Sequence, residues 1–249
     1  MAYHSIYVYG KHALREALMA NPKSVERVYL VSRDDAELLA LIRTAGAPIT
    51  IVTNKTFPRG MDPEANHQGV IGEVNTKEVI VSYDDFRAHL KVGPDTCLVL
   101  LNELQDPHNV GAIIRSAAAF GVAGILIPPH NQAPITGTVA KVSAGMTFRV
   151  PLVSIGNVNT TIEDLKKQGF WIYGLDEEGS TALHTESFAT PTVFVLGNEA
   201  RGIREKTKEH CDILLNIPMT PDCESLNVAA SAAVVLYDWS RKHPDALKS

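Results

Sequence analysis

The sequence predicts an α/β protein in two parts, a small N-terminal unit followed by a larger domain with a parallel sheet. From residue 95 onward, short apolar strands alternate with helices, which is the pattern of a parallel sheet with helices on both faces. The first of these strands, 97–101, contains no polar residue, as expected of a strand covered on both faces. A charged stretch ending in Gly93-Pro94 precedes it. We therefore predict domains at 1–75 and 95–243, joined by a linker at 76–94.

The N-terminal unit is predicted from alternating helical and β-branched segments. Its elements in order are a helix at 10–19, a strand at 25–31, a helix at 34–43, and strands at 48–52 and 70–74. A polar, turn-rich stretch separates the last two strands.

The larger domain has a more regular pattern. Strands are predicted at 97–101, 124–128, 152–155, 170–175, 192–196 and 213–217, and helices at 107–120, 138–144, 162–168, 202–209 and from about 225 to 239. Asp106-Pro107 is a helix start, because aspartate caps the first turn and proline fits its first position. Gly121 can supply the left-handed stop of the same helix.

Composition limits the class of protein. The chain has 249 residues, 45% of them hydrophobic and 20% charged, which is ordinary for a soluble globular protein. There is no apolar run of about 18 residues and no signal-like N-terminus, so we expect a cytoplasmic protein without membrane spans. Cys97, Cys211 and Cys223 form no CxxC pair, which predicts reduced thiols and no metal site. The net charge of −5 argues against nucleic-acid binding, although a local basic patch can lie on an acidic protein, so an RNA-binding function must be argued from specific residues.

The first segment with candidate functional residues follows strand 97–101 directly. Its polar residues are therefore expected at the carboxyl edge of the sheet, where α/β proteins bind ligands. Asn109 and Arg115 stand six residues apart on the predicted helix, so about 600° of rotation places them on different faces. The alternative is an ordinary capped helix in which Arg115 forms a salt bridge.

The second segment runs from strand 192–196 into the pattern Gly197-x-Glu199-x-x-Gly202. Glycines let backbone amides approach a ligand closely. Because Glu199 occupies the middle position, this is not the dinucleotide fingerprint, and its charge favours a ligand without a pyrophosphate. The alternative is a tight strand-to-helix turn.

The third segment precedes and begins the closing helix. Ser225 is predicted to cap that helix through its hydroxyl. The run Ala229-Ala-Ser-Ala-Ala233 lacks bulk, which suits close packing against another helix or a second subunit. The alternative is a capped helix with a small-residue face and no further role.

Together and in this order, the three segments resemble the three motifs of the TrmH/SpoU branch of the SPOUT methyltransferases, most closely the guanosine 2′-O-methyltransferases of 23S rRNA. The stretches Tyr9–Leu14 and Asn66–Val70 resemble that family's ribosomal-protein-like substrate-binding domain. The resemblance covers nearly the whole chain.

The resemblance implies a parallel-sheet domain with a C-terminal trefoil knot, S-adenosylmethionine as methyl donor without a metal, rRNA as substrate, and a homodimer with the site at its interface. The implied catalytic residues are Asn109, Arg115, Glu199, Ser225 and Asn227. Arg115 would hold the RNA phosphate and stabilise developing alkoxide charge, and Glu199 would orient Arg115 or accept the proton. The implied donor-binding residues are Gly197, Asn198, Glu199, Ile217, Pro218, Met219, Ser225, Leu226 and Asn227.

The third segment departs from the family pattern at two positions. Pro221 stands where the family usually has glycine, and proline has no amide hydrogen and no access to positive φ. Glu224 stands where the family has a further serine, and it adds a negative charge beside the expected site. A tRNA guanosine methyltransferase and a non-catalytic RNA-binding assembly factor on the same fold remain alternatives. A nicotinamide dehydrogenase is disfavoured by the missing glycine fingerprint.

Overall fold

The computed structural model describes residues 5–53 and 67–248. Within it the chain forms two compact units, each with its own sheet. One contains the residues up to Ile80 together with Pro134–Arg149, and the other contains Val81–Ala133 and Val150–Ser249. The segment 134–149 therefore belongs to the first unit although it follows residue 95.

The first unit is built around a four-stranded sheet of order β1-β4-β2-β3. Its strands are β1 (Ser5–Tyr9), β2 (Val25–Leu30), β3 (Ile49–Ile51) and β4 (Val70–Asn75). β4 pairs antiparallel with β1 and β2, and β2 pairs parallel with β3. Helices α1 (Lys11–Ala20) and α2 (Ala36–Ala45) follow β1 and β2, and the side chain of Asp35 caps α2. The predicted α/β unit is confirmed, but β1 was not predicted.

The segment 134–149 packs tightly on the first unit. Its helix, which becomes α5 (Gly137–Val142) in chain order, lies against β1, and a Cβ added at Gly137 would collide with the Tyr7 carbonyl. Gly145 adopts φ +81, and a Cβ there would lie 2.6 Å from the Cβ of Glu16. Glu16 also forms an ion pair with Arg149. Glycine is therefore required at both contacts.

The second unit contains an eight-stranded sheet of order β10-β12-β9-β11-β6-β7-β8-β5. The strand pairs from β10 to β8 are parallel, as predicted. Its strands are β5 (Ile80–Ser82), β6 (Cys97–Leu101), β7 (Gly124–Ile127), β8 (Leu152–Ser154), β9 (Trp171–Leu175), β10 (Thr181–Ala182), β11 (Thr192–Leu196) and β12 (Ile213–Asn216). Every residue of β6 and β11 is buried, because both strands lie in the middle of the sheet.

The remaining helices are α3 (Tyr83–His89), α4 (Pro107–Ala119), α6 (Val158–Lys167), α7 (Glu205–Lys208) and α8 (Val228–Lys242). The Asp106 side chain caps α4 and Gly121 follows it at φ +72, as predicted. The predicted start of α6 at 162 was four residues late. The segment 76–94, predicted as a linker, contains β5 and α3.

Two predictions near the site were wrong. The cap of α8 is Asn227, whose Oδ1 accepts from the backbone amides of Ala229 and Ala230, and not Ser225. The helix predicted at 202–209 is only the single turn of α7, because Gly202 is held by two backbone hydrogen bonds to Asn198. The implied trefoil knot stays a prediction.

Candidate active site

Four neighbouring parallel strands, β12, β9, β11 and β6, end at one edge of the large sheet. The three sequence segments with candidate functional residues all begin or end at this edge. Asn109 lies on α4, which follows β6; Glu199 lies in the loop after β11; and Asn227 lies before α8, beyond β12. Their common position follows from the parallel pairing.

A chain of side-chain hydrogen bonds joins the three segments. The Asn227 Nδ2 donates to the Asn109 Oδ1 at 2.9 Å, and the Asn109 Nδ2 donates to the Glu199 Oε1 at 3.0 Å. Since Asn227 also caps α8, its side-chain orientation is fixed from both sides. Asn109 is 8% exposed, whereas Glu199 is an exposed carboxylate. The chain of bonds thus runs from a helix terminus through a buried amide to an accessible carboxylate.

The loop after β11 is closed by Asn198. Its backbone exchanges two 2.9 Å hydrogen bonds with Gly202, and its Oδ1 accepts from the amides of Ala200 and Arg201. Gly197 allows this closure, because a Cβ there would overlap the backbone of Gly202. The loop therefore presents Glu199 from a short, internally bonded turn.

A cavity of about 720 Å³ lies at this edge. It is lined by the strand ends Leu175, Leu196 and Leu215 and by residues of the second and third segments. Of the predicted donor-binding residues, those that line the cavity are Gly197, Asn198, Glu199, Ile217, Met219, Ser225, Leu226 and Asn227. Pro218 does not line it, although both of its neighbours do.

The cavity wall is acidic. Five carboxylates line it, and they belong to Asp176, Glu177, Glu178, Glu199 and Glu224. Among the residues that the structure describes, two cationic side chains line it, Arg201 and Lys208. Lys208 forms a 2.5 Å ion pair with Asp176, and the hydrogen bond to that carboxylate is the main cause that raises the pKa of Lys208. The surplus of negative charge favours a cationic ligand and opposes a phosphate group.

Sequence reasoning missed the residues that follow β9. The strand that precedes them had been predicted, and polar residues at the carboxyl end of a parallel strand are candidates for ligand binding. The same argument therefore applies to Asp176, Glu177 and Glu178. The Gly179 carbonyl accepts from the Asn216 side chain, and the Asp176 amide donates to the Leu215 carbonyl. This loop is therefore fixed to the neighbouring strand β12.

Arg115 lies apart from these residues within the single chain. It is exposed on α4, does not line the cavity, and forms no hydrogen bond or ion pair with any residue that the structure describes. Asn109 and Arg115 do point to different sides of α4, since Asn109 is buried. In this chain Glu199 orients Asn109 and not Arg115.

Two large apolar side chains are exposed on α8, the helix that packs against α4. Val234 and Tyr237, three residues apart on α8, are 41% and 59% exposed. The Tyr237 ring meets the Phe120 ring at the end of α4, with centroids 5.9 Å apart. Leu226 at the cavity rim is also an exposed apolar side chain. Helix α8 packs against α4 within the chain, and packing of its small residues against a second subunit stays a prediction.

Residues 5–53 and 67–248 contain neither a metal-binding cluster nor a membrane-spanning helix. No group of three metal-binding side chains occurs there. None of the helices in those ranges combines the length and apolar character that crossing a membrane requires.

Comparison with known proteins gives two family matches that together cover most of the chain. Residues 96–237 match the SpoU rRNA Methylase family. Residues 7–79 match the family described as RNA 2′-O ribose methyltransferase substrate binding. The second match includes Tyr9–Leu14 and 66–70, which the sequence had assigned to such a domain; Asn66 itself lies outside the described residues.

Curated relatives match over almost their full length. The chain is 34% identical to the 23S rRNA (guanosine-2′-O-)-methyltransferase RlmB of Neisseria meningitidis, over 94% of each chain. It is 33% identical to the protein of the same name from Nitrosomonas europaea, over 96% of this chain and 93% of that one. Among solved structures, the SpoU methyltransferase AviRb of Streptomyces viridochromogenes in complex with AdoMet superposes with a TM-score of 0.81 at 23% identity, covering 97% of this chain and 92% of that one.

Proposed function

Because the chain belongs to the SpoU rRNA methylase family, we propose that it transfers a methyl group from S-adenosylmethionine to the ribose 2′-hydroxyl of a guanosine in 23S rRNA. The substrate is inferred from the relatives from Neisseria and Nitrosomonas, which carry that activity in their names. The match at 7–79 to a substrate-binding family supports an RNA-binding role for 1–75, with 95–243 as the methyltransferase domain. We also propose that the protein acts in the cytoplasm, where bacterial rRNA is made.

The observation that carries the proposal is the hydrogen-bonded chain Asn227–Asn109–Glu199 beside the acidic cavity. The methyl donor carries a positive sulfonium and no phosphate, so a wall of five carboxylates and two cations suits it. Backbone at Gly197 and apolar side chains at Leu196, Ile217 and Met219 suit an adenine and a short aliphatic chain. The donor supplies an electrophilic methyl group when it is bound there.

The residues of this chain must then activate and align the ribose hydroxyl, which is a weak nucleophile. The Glu199 Oε1 is occupied by Asn109, whereas its Oε2 receives only a 3.4 Å contact from the Asn198 amide. Oε2 is therefore the oxygen that can accept the hydroxyl proton. Asn109 and Asn227 hold the carboxylate in place. Ser225 also lines the cavity, and we assign it to positioning of the bound groups.

We propose further that the protein is a homodimer and that Arg115 completes the site from the second subunit. Arg115 has no partner among the described residues of its own chain, and exposed Val234 and Tyr237 lie on the helix that packs against α4. An arginine is not deprotonated in proteins. Arg115 would therefore act as a cation that binds phosphate and stabilises the developing alkoxide.

Methylation of transcripts tests the activity and its substrate. The purified protein is incubated with S-adenosylmethionine carrying a labelled methyl group and either 23S rRNA or a set of tRNAs, and the 2′-O-methyl positions are mapped. We expect one modified guanosine in 23S rRNA and none in tRNA. Modification of tRNA alone would overturn the substrate. If calorimetric titration gave no donor binding and neither RNA were modified, the non-catalytic alternative would hold.

Dimerisation is tested separately by sedimentation. We expect one species near twice the 27.1 kDa chain mass, and a mixture of Arg115→Ala and Glu199→Gln chains that recovers activity neither variant has alone. Mixed dimers recover activity only when the two residues act from different subunits. A strict monomer at micromolar concentration, or no recovery on mixing, would contradict this arrangement.

A further inference from the structure

Glu103 lies just after β6 and is bonded to both ends of the loop that carries Glu199. Its backbone carbonyl accepts from the Asn198 Nδ2 at 2.8 Å. Its carboxylate binds Arg204 through two bonds, Nη2 to Oε1 at 2.7 Å and Nε to Oε2 at 2.9 Å. One residue of the first segment therefore holds residue 198 before Glu199 and residue 204 after it.

The position of Glu103 is itself fixed. Its carboxylate also accepts from the Asn131 Nδ2 at 3.1 Å, and its side chain is only 19% exposed. The backbone φ is +64, a conformation that residues other than glycine rarely adopt. Bidentate arginine–carboxylate pairs have more defined geometry than single contacts. Glu103 thus has a strained backbone conformation, and its side chain is bonded to the loop that carries Glu199.

We infer that Glu103 is a positioning residue for the reaction: by holding Asn198 and Arg204, it keeps Glu199 within hydrogen-bond reach of Asn109. Glu103 does not line the cavity, so it acts through Glu199 and not on the bound groups. The loop between its two contacts is only five residues long. Removal of the Glu103 carboxylate would release Arg204 at the C-terminal end of this loop. At the other end, Asn198 would remain bonded to the Glu103 backbone carbonyl.

The inference rests on the proposed function, and its test is a double-mutant cycle between Glu103 and Glu199. In Glu103→Ala we expect kcat to fall about 20-fold, below the roughly 100-fold that a 1 Å misplacement can cost, with KM for RNA changed less than about twofold. In a Glu199→Gln background the same change should lower kcat less than about twofold, because the group being positioned is already lost. Glu103→Gln, which retains an acceptor oxygen, should fall between Glu103→Ala and the wild type.

Two controls separate positioning from folding. Glu103→Gly removes the side chain at a position where glycine adopts positive φ without strain, so it should fold at least as well as Glu103→Ala and lose as much activity. Asp245→Ala breaks an exposed ion pair with Lys248 that does not line the cavity, and it should match the wild type in activity and melting temperature. The Kd of S-adenosylmethionine can be measured by calorimetry without RNA. It should rise in Glu103→Ala by no more than it rises in Glu199→Gln.

The outcomes discriminate between the two proposals. An inactive wild type would sink the proposed function irrespective of Glu103. An active wild type with Glu103→Ala within about twofold of it, or with an equal loss in both backgrounds, would overturn the positioning role. If Glu103→Ala failed to fold, the Glu103→Gly and Glu103→Gln variants would decide by the same criterion.

Discussion

The interior of the large sheet and its carboxyl edge use the same strands for different purposes. All ten residues of β6 and β11 are buried, and only Thr192 among them is polar. Within a few residues of their ends the side chains become polar and form hydrogen bonds to distant segments, as at Glu103 and Glu199. The interior supplies stability and the edge supplies chemistry, so substitutions in the two regions should change different measurements.

The largest effect is expected at the edge, in Glu199→Gln. The amide keeps the size of the side chain but cannot accept a proton as the carboxylate does. General-base catalysis contributes about 100- to 10,000-fold, so we expect kcat to fall about 1,000-fold with little change in melting temperature. Single-turnover methylation measures the first and thermal unfolding the second. A loss below about threefold would show that Glu199 is not the proton acceptor.

In the interior, Leu100→Ala should have the opposite effect. Leu100 is fully buried in β6 beside Val195 of β11, so truncation leaves a cavity that costs about 3 kcal/mol of unfolding free energy. Activity per folded molecule should remain near that of the wild type well below the melting temperature. Urea unfolding combined with an active-site titration checks both statements. A large loss of activity in fully folded protein would break the division between interior and edge.

Tyr83→Phe examines a polar bond that belongs to the scaffold. The Tyr83 hydroxyl donates to Asp164 at 2.8 Å, joining α3 to α6, and this bond is the main cause that lowers the pKa of Asp164. We expect a loss of about 1 kcal/mol and no change in kcat. Because the pKa of Asp164 is lowered on folding, the stabilisation is present above the ordinary value of 3.8 and is lost as the pH falls below it. The wild type and the variant should therefore converge in stability in acid, and a gap that is independent of pH would contradict the assignment.

The smallest effect is expected from the acidic wall. In a double variant, Glu177→Gln with Glu178→Gln, the cavity loses two exposed negative charges. Calorimetry should show the Kd of S-adenosylmethionine rising about threefold, which is within the modest range of solvent-screened charges. The demethylated product lacks the sulfonium charge, so its Kd should rise less. An equal rise in the Kd of both ligands would mean that the two carboxylates do not interact with the sulfonium charge.

Most elements of the large sheet were predictable, because buried parallel strands are apolar throughout and their helices have recognisable caps. Strand β1 was missed because its pairing with β4 joins residues about 65 positions apart, such as Val8 and Gly72, which no local pattern reveals. The helix predicted at 202–209 is limited to α7, because the Gly202 backbone is hydrogen-bonded to Asn198 and does not join the helix.

The candidate site was predictable by position more than by contact. Strand ends identified the segments that hold Asn109, Glu199 and Asn227, but not the order in which their side chains bond. Ser225 and Asn227 are both good capping residues, and the sequence does not reveal that Asn227, which caps the helix, is also bonded to Asn109. The place of Arg115 in the site depends on a second subunit, about which local sequence patterns give no geometry.

The packing of 134–149 on the first unit limits how such proteins can be recombined. A crossover near residue 80 would exchange β1 but leave behind α5, whose Gly137 lies against the Tyr7 backbone. The chimera would then combine β1 of one parent with α5 of the other. These two elements meet at a contact that has no room for an additional carbon atom. Functional chimeras should therefore arise by the joint transfer of both stretches, and the two should vary together among relatives.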